Sequence, residues 1–253
     1  MILAIWGRGG IGKSTIANAL GAMYADRGTA GVIDTSLCHP TLPVRLPGKK
    51  LSQEYSLGRF LNRLGSNEVR PYFHQSPHCE GLFHAGLSNG DTYTGYEIGF
   101  EAVKHAREFL KEGEKLLGNI IVDCSTQRND PFLPAMLMEA DVILLPIVPN
   151  VEAVYWYNAV KPMLRDAGAL SRTLPFATMT QPFHLIGEVE KQLEISFAAE
   201  FRYCRDVAQA GDECRLATEA NRRDDLHWSK NLHKLYQEIE RMRSEAQTGV
   251  END

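Results

Sequence analysis

A chain of 253 residues, 43% hydrophobic and 23% charged, is long enough to fold as one globular domain around a large core. The formal net charge of −5 argues against a general attraction to nucleic acid and leaves a local basic patch as the route to DNA. No apolar run reaches the length of a transmembrane helix, and the N-terminal residues lack the basic flank of a secretion signal. The five cysteines form no C-x-x-C or C-x-C pair, which is typical of a reducing cytoplasm. We therefore expect a cytoplasmic protein.

The first 26 residues contain the most informative pattern. Residues 2–6 form a short apolar run that predicts a strand, and residues 7–15 read G-R-G-G-I-G-K-S-T. Apolar residues then recur at helical spacing from Ile16 to Met23. This order of strand, glycine loop and helix is the context in which G-x-x-x-x-G-K-[ST] indicates a phosphate-binding loop.

The residue types in this loop suit a nucleoside triphosphate. Glycines let the backbone N–H groups turn inward around phosphate oxygens, and the start of a helix adds more N–H groups and a positive dipole end. We expect the Lys13 side chain to reach the β- and γ-phosphates and the Ser14 hydroxyl to bind Mg²⁺. The alternative is a glycine-rich turn without a ligand. The predicted contact residues are Gly7, Gly9, Gly10, Ile11, Gly12, Lys13, Ser14 and Thr15.

Two acids directly follow apolar runs. Asp34 comes after Val32 and Ile33, and Asp123 ends the nearly continuous apolar run 119–122. In an open α/β sheet ligands bind at the carboxyl ends of the strands, and in P-loop proteins an acid there holds Mg²⁺. We predict that Asp34 and Asp123 join Ser14 at a Mg²⁺ site. The alternative for Asp34 is an acid that only shapes the turn.

Helix and strand patterns alternate through the rest of the chain. A weaker metal candidate is the loosely spaced group His74, His78 and Cys79 in the polar stretch 65–81. We expect a surface loop over 40–56 and strands over 82–87, 119–123, 142–148, 176–180 and 195–197. The predicted helices are a short one over 56–64, one from Phe100 to the glycines between 113 and 118, a short one after Pro131 and a long one after Pro149. A last helix from Trp228 to Met242 is expected to dock its apolar stripe on the core.

Two stretches resemble a known family. Residues 8–15 resemble the deviant phosphate loop of the MinD/ParA superfamily, usually K-G-G-x-G-K-[ST], and residues 139–154, E-A-D-V-I-L-L-P-I-V-P-N-V-E-A-V, resemble its corresponding block. The resemblance spans residues 1–245 and is sharp at 7–15 and 119–152. It implies ATP and Mg²⁺ as cofactors and a homodimer that forms with ATP. It also implies a partner protein, through which such ATPases position a plasmid, septum, pilus or flagellum.

Three residues depart from the superfamily pattern. Arg8 replaces a lysine that, in the superfamily, contacts the phosphates of the other subunit; arginine keeps the charge and can bind phosphate in a bidentate way. Ser36 replaces the second acid of a D-x-D motif, which positions the attacking water, and Gln127 replaces a pivoting glycine. The resemblance implies that Lys13, Arg8, Asp34 and Ser36 surround the reacting phosphate. Because a hydroxyl is a much weaker base than a carboxylate, we expect slow hydrolysis.

The resemblance also indicates where the base binds. Superfamily members often have an asparagine near the end of the strand over 176–180 that reads adenine. Thr178 and Thr180 lie in that stretch here, and Glu200 is expected to reach the base or ribose.

Together these features predict an α/β fold: a three-layer αβα sandwich with a mostly parallel sheet, in a single P-loop NTPase domain over 1–246 followed by a disordered tail over 247–253. The predicted function is a weak ATPase that acts as a nucleotide-dependent dimeric switch. The alternatives are an ATP-dependent DNA-binding partition protein, an iron-protein-like metal or cluster carrier, and a small-molecule kinase. Acids interleaved with the arginines between 202 and 223 favour a solvated face over DNA binding, and the mixed charge of the last helix argues against membrane binding.

Overall fold

Eight strands form one sheet in the computed structural model, which describes residues 1–63, 68–93, 99–219 and 225–250. The strand order is β3-β4-β2-β5-β1-β6-β7-β8, and neighbours are parallel except for β3 and β4. The strands are β1 Ile2–Ile5, β2 Ala30–Asp34, β3 His74–Gln75, β4 Leu82–Ala85, β5 Asn119–Asp123, β6 Val142–Ile147, β7 Thr173–Thr180 and β8 Glu200–Arg202.

Helices cover both faces of this sheet. The described residues contain α1 Lys13–Ala25, α2 Leu42–Arg45, α3 Leu57–Leu61, α4 Ala102–Leu117, α5 Phe132–Glu139, α6 Val151–Asp166, α7 Ile186–Leu193, α8 Arg205–Asp212 and α9 Asp225–Val250. Apolar side chains of α1, α8 and α9 pack on one face, and those of α3 to α7 pack on the other. The predicted three-layer αβα sandwich with a mostly parallel sheet is therefore confirmed.

Burial on both faces explains the apolar strand sequences. Every residue of β1 and β6 is buried, as are residues 120–123 of β5. The pairing register sets Ile5 opposite Asp123 and Asp34 opposite Asp123. Because parallel strands share a direction, the segments that follow β1, β2, β5 and β6 meet at one edge of the sheet.

Several predicted elements are confirmed, some with shifted ends. β5 has the predicted bounds, β7 begins earlier, at Thr173, and β4 ends two residues before residue 87. The stripe of the last helix docks on the core, where Leu235 and Ile239 are completely buried. α9 continues to Val250, so the predicted tail is helical from 247 to 250, whereas 251–253 lie outside the described residues.

Other predicted elements are wrong. The stretch 195–197 is not a strand, because the N–H groups of Ile195 and Phe197 donate to the backbone and side chain of Glu190 at 3.1 and 2.7 Å instead of to a sheet. Phe100 is fully exposed and precedes α4. The predicted loop 40–56 contains α2 and a 3₁₀ turn over 53–55.

Some parts of the chain gave no usable signal. Sequence patterns missed β3, α7 and α8, and the last residue of the predicted helix over 56–64 lies outside the described residues.

Gly81 fixes the contact between β4 and the end of α1. A Cβ atom at this position would lie 2.5 Å from the Gly28 carbonyl oxygen and 2.8 Å from that of Ala25. We expect Gly81→Ala to lower the free energy of unfolding by about 1–3 kcal/mol, because backbone atoms cannot move aside cheaply. The control is Gly187→Ala in α7, where a Cβ meets open space and should be neutral or slightly stabilising. Urea denaturation compares the two variants, and equal stability would contradict this account.

Candidate functional site

The loop between β1 and α1 lies at the edge where the strand ends meet. Its shape requires glycine at two positions, since Gly10 and Gly12 have φ values of 70° and 85°. At Gly7, a Cβ would lie 3.3 Å from the carbonyl oxygen of Pro146, so the loop passes tightly over β6. Gly7, Gly10 and Gly12 are therefore required for different structural reasons, the first for close packing and the other two for their backbone conformation.

The backbone N–H groups of this loop are available to a ligand. Those of residues 9–15 donate no hydrogen bond to any residue that the structure describes. The Lys13 side chain is buried above them and donates from Nζ to the carbonyl oxygen of Arg8 at 2.9 Å. Burial lowers the pKa of Lys13, and the negative charge of Asp123 opposes this shift. Unpaired N–H groups next to an ammonium group offer donors and positive charge to an anion.

Two carboxyl groups face the loop, the buried Asp123 and the half-buried Asp34. Burial, and then the charge of Asp34, raise the pKa of Asp123 to about 7, while a hydrogen bond from the Ser14 side chain acts in the opposite direction. Burial also raises the pKa of Asp34, whose Oδ1 accepts the Ser36 N–H at 2.9 Å. Adjacent acids destabilise each other's ionised form, and a cation would relieve this. Carboxylate and hydroxyl oxygens are hard donors, so Asp34, Asp123 and Ser14 fit a Mg²⁺ ion.

A cavity of about 320 Å³ joins these groups. Its lining includes Gly9, Lys13, Ser14, Asp34, Ser36 and Asp123. The structure thus brings six of the residues predicted to surround the phosphates and metal to one cavity.

A second cavity, of about 70 Å³, lies on the other side of the loop. Gly12, Thr15, Thr178, Met179, Tyr203 and Trp228 line it, and it shares no lining residue with the larger cavity. Sequence patterns missed Tyr203, because the strand before it was expected at 195–197, and they gave Met179 no role beyond its place in the strand over 176–180.

The predicted base contacts have other partners in the chain. Thr178 lines the smaller cavity, but its hydroxyl donates to the carbonyl oxygen of Ile11 at 3.2 Å and so supports the loop. The Thr180 hydroxyl donates to Glu200 Oε1 at 2.9 Å. Neither Thr180 nor Glu200 lines either cavity.

Arg8 is paired within its own chain. Its guanidinium forms an ion pair with Glu152 in the first turn of α6, and a third of its side chain is exposed. Asn150 caps this helix by accepting the Ala153 N–H at 2.9 Å. The helix that follows β6 therefore positions the partner of Arg8.

A buried hydrogen-bond network joins the segments that follow β2 and β5. The Thr35 hydroxyl donates to Asp130 Oδ2 at 2.5 Å, and the Ser125 N–H donates to the Thr35 oxygen at 2.8 Å. Asp130 Oδ1 also accepts the Phe132 N–H at 2.8 Å. Gln127 Nε2 contacts Cys38 Sγ across the same two segments. Sequence patterns missed Asp130, although an acid before a helix that starts near Pro131 is a recognisable cap.

Two of the other candidate residues form ion pairs or contacts with acids. His78 pairs with Glu219, and Arg215 pairs with Glu213. Within the described residues, no group of three or more His, Cys, Asp or Glu side chains is arranged to hold a metal. No described helix is both long and apolar enough to cross a bilayer. Arg222 and Arg223, also among the predicted basic residues, lie outside the described part of the chain.

A glycine loop between the first strand and helix of a parallel sheet, with an acid ending the adjacent strand, defines the P-loop fold. The chain has, more particularly, the fold of the MinD and ParA ATPases. It matches a putative plasmid partition protein from Borrelia burgdorferi B31 bound to AMPPNP (TM-score 0.74, 12% identity, covering 94% of this chain and 98% of that one).

Two MinD structures are similar to the same extent. The septum site-determining protein MinD from Pyrococcus horikoshii OT3, complexed with Mg-ADP, matches with a TM-score of 0.73 at 16% identity, covering 94% of this chain and 95% of that one. The cell division ATPase MinD from Pyrococcus furiosus matches with a TM-score of 0.73 at 18% identity, covering 95% and 98%. No protein-family model and no curated protein matches the chain. At such identities the likeness shows a common fold.

The buried Asp130 should make stability depend on pH. Burial raises its pKa from 3.8 to about 6, so the folded state holds this proton more tightly than the unfolded state does. Stability from this group is complete below the unfolded pKa and should fall by roughly 3 kcal/mol as the pH rises to the folded pKa.

Asp130→Asn should therefore flatten the fall in unfolding free energy between about pH 4 and pH 6. Urea denaturation of the nucleotide-free protein across this range measures the slope, with Asp166→Asn, an exposed acid at the end of α6, as the control. If Asp130→Asn kept the wild-type slope, Asp130 would not be the titrating group.

Proposed function

We propose that the chain is a member of the MinD/ParA superfamily that binds ATP with Mg²⁺, closes into a homodimer and acts through a partner protein. In this proposal it is a cytoplasmic switch that positions or partitions a cellular structure. The observation that carries the proposal is the set of unpaired N–H groups over residues 9–15, placed beside Lys13 and the carboxyl groups of Asp34 and Asp123.

In this proposal the loop binds the phosphates and the acid pair binds the metal ion. The N–H groups of residues 9–15 and the ammonium of Lys13 face the phosphate oxygens. Ser14, Asp123 and Asp34 would hold Mg²⁺, which supplies charge neutralisation at the phosphates and at the two acids. The smaller cavity beside Gly12 is the place for the base, where Met179 and Tyr203 offer apolar surface.

Hydrolysis is expected to be slow. The Oδ1 atom of Asp34 already accepts the Ser36 N–H at 2.9 Å. The Ser36 hydroxyl lines the larger cavity, and a hydroxyl removes a proton from water far less readily than a carboxylate does. A slow reaction suits a switch whose state is defined by the bound nucleotide.

The start of α6 supports the dimer. Val151 and Tyr155 are about three-quarters exposed there, next to Glu152 and its ion pair with Arg8. Exposed apolar side chains beside the loop would be covered when two copies close face to face. Arg8 would then exchange Glu152 for the phosphates bound to the other subunit, where its guanidinium can bind in a bidentate way.

Molar mass in solution tests the dimer. With Mg·ATP the wild type should have twice the mass that it has with Mg·ADP or without nucleotide, because the γ-phosphate completes the interface. Arg8→Ala should bind Mg·ATP and remain a monomer, since the bridging charge is removed. Arg165→Ala, a change at the far end of α6, is the matched control and should dimerise normally. Light scattering measures all three, and a dimer of Arg8→Ala, or a wild type that binds Mg·ATP as a monomer, would contradict the proposed switch.

A further inference from the structure

Arg45 stands at the end of α2 on a firmly fixed backbone. Leu42 and Leu46 on either side of it are each 1% exposed. The Leu42 N–H donates to the Leu87 carbonyl oxygen at 3.2 Å, and the Leu46 N–H donates to the Leu42 carbonyl oxygen at 2.8 Å. These contacts tie α2 to the segment after β4, so the position from which the Arg45 side chain extends is set by the core.

The Arg45 side chain lines the 320 Å³ cavity together with Lys13, Asp34 and Asp123. Its positive charge also opposes the rise in pKa that burial causes at both carboxyl groups. The guanidinium is therefore close to the same acid pair that would hold Mg²⁺, although it belongs to a different element of the fold.

Arg45 has no hydrogen bond from its side chain and no ion pair among the residues that the structure describes, although it is half-buried. Arg8 and Arg215, by contrast, are paired with Glu152 and Glu213. A guanidinium offers five donors in a planar fork, and withdrawing it from water without a partner is unfavourable. An anion in the cavity would satisfy these donors.

Arg45 also lies close to a neutral histidine. On the side away from the acids it lines a small cavity of about 30 Å³ with His78 and His84. Burial, and then the charge of Arg45, lower the pKa of His84 to about 3, so this imidazole is neutral at physiological pH. Asp34, Asp123 and Lys13 line the 320 Å³ cavity and not the small one, which makes the larger cavity the place for an anion bound together with a cation.

The charges lining the larger cavity indicate which phosphate binds Arg45. With both carboxyl groups ionised, Lys13 balances one negative charge, and Arg45 is the other permanent cation in the described lining. The smaller cavity on the opposite side of the loop would take the base, so the phosphate farthest from the base lies toward Asp34 and Arg45. We propose that Arg45 binds the γ-phosphate from within its own subunit and makes the site selective for a nucleoside triphosphate over a diphosphate. This rests on the proposed nucleotide-binding function.

Calorimetric titration with Mg·AMPPNP and with Mg·ADP tests the proposal. A charged hydrogen bond to the γ-phosphate exists only with the triphosphate, so Arg45→Ala should weaken Mg·AMPPNP binding by about tenfold or more and change Mg·ADP binding by less than about threefold. Arg45→Lys keeps the positive charge but not the planar guanidinium, so its affinity for Mg·AMPPNP should lie between those of the wild type and Arg45→Ala. The control is Arg59→Ala on the neighbouring helix α3, an exposed arginine that lines neither cavity.

Equal losses for both nucleotides, or no loss for either, would overturn the role of Arg45 while nucleotide binding by the wild type stood. A wild type that bound neither nucleotide would overturn the nucleotide-binding proposal and the role of Arg45 with it. Thermal melting of each variant shows whether it folds. If Arg45→Ala does not fold, the comparison of Arg45→Lys with the wild type still tests the proposal. Arg45→Lys is also expected to lose affinity for Mg·AMPPNP while its affinity for Mg·ADP stays the same.

Discussion

Two carboxyl groups buried side by side are the constraint on which the site depends. Parallel strands β2 and β5 end in register, so Asp34 and Asp123 are brought opposite each other, where burial raises the pKa of both carboxyl groups. The chain surrounds them with compensating groups: the ammonium of Lys13, the side chain of Ser14 and the guanidinium of Arg45. Such a site is unfavourable when empty and favourable when a metal ion and an anion enter it together.

The segments next to this acid pair are coupled to each other. Thr35 and Ser125 each lie within two residues of one of the acids, and their hydrogen bonds meet at the Thr35 hydroxyl, which accepts the Ser125 N–H and donates to Asp130. A change around Asp34 would therefore reach the segment after β5 through a buried network.

The sequence predicts those parts of the molecule that follow from local rules. The loop over residues 7–15 and the acids at the ends of β2 and β5 were readable because glycine spacing and apolar runs are local patterns. Arg45, Asp130 and Met179 were not, since their roles depend on how separate segments meet in space. The stretch 195–197 shows the same limit: its residues favour a strand, yet tertiary hydrogen bonds to Glu190 decide its conformation.

Hydrogen exchange of the backbone amides of residues 9–15 tests the central claim most directly, because the account assigns these unpaired N–H groups to a polyphosphate. They should exchange rapidly in the nucleotide-free protein and become strongly protected with Mg·ATP, whereas Lys13→Ala should show little protection under the same conditions. If Mg·ATP left the exchange of these amides unchanged in the wild type, the loop would not be a phosphate-binding site and the account built on it would be wrong.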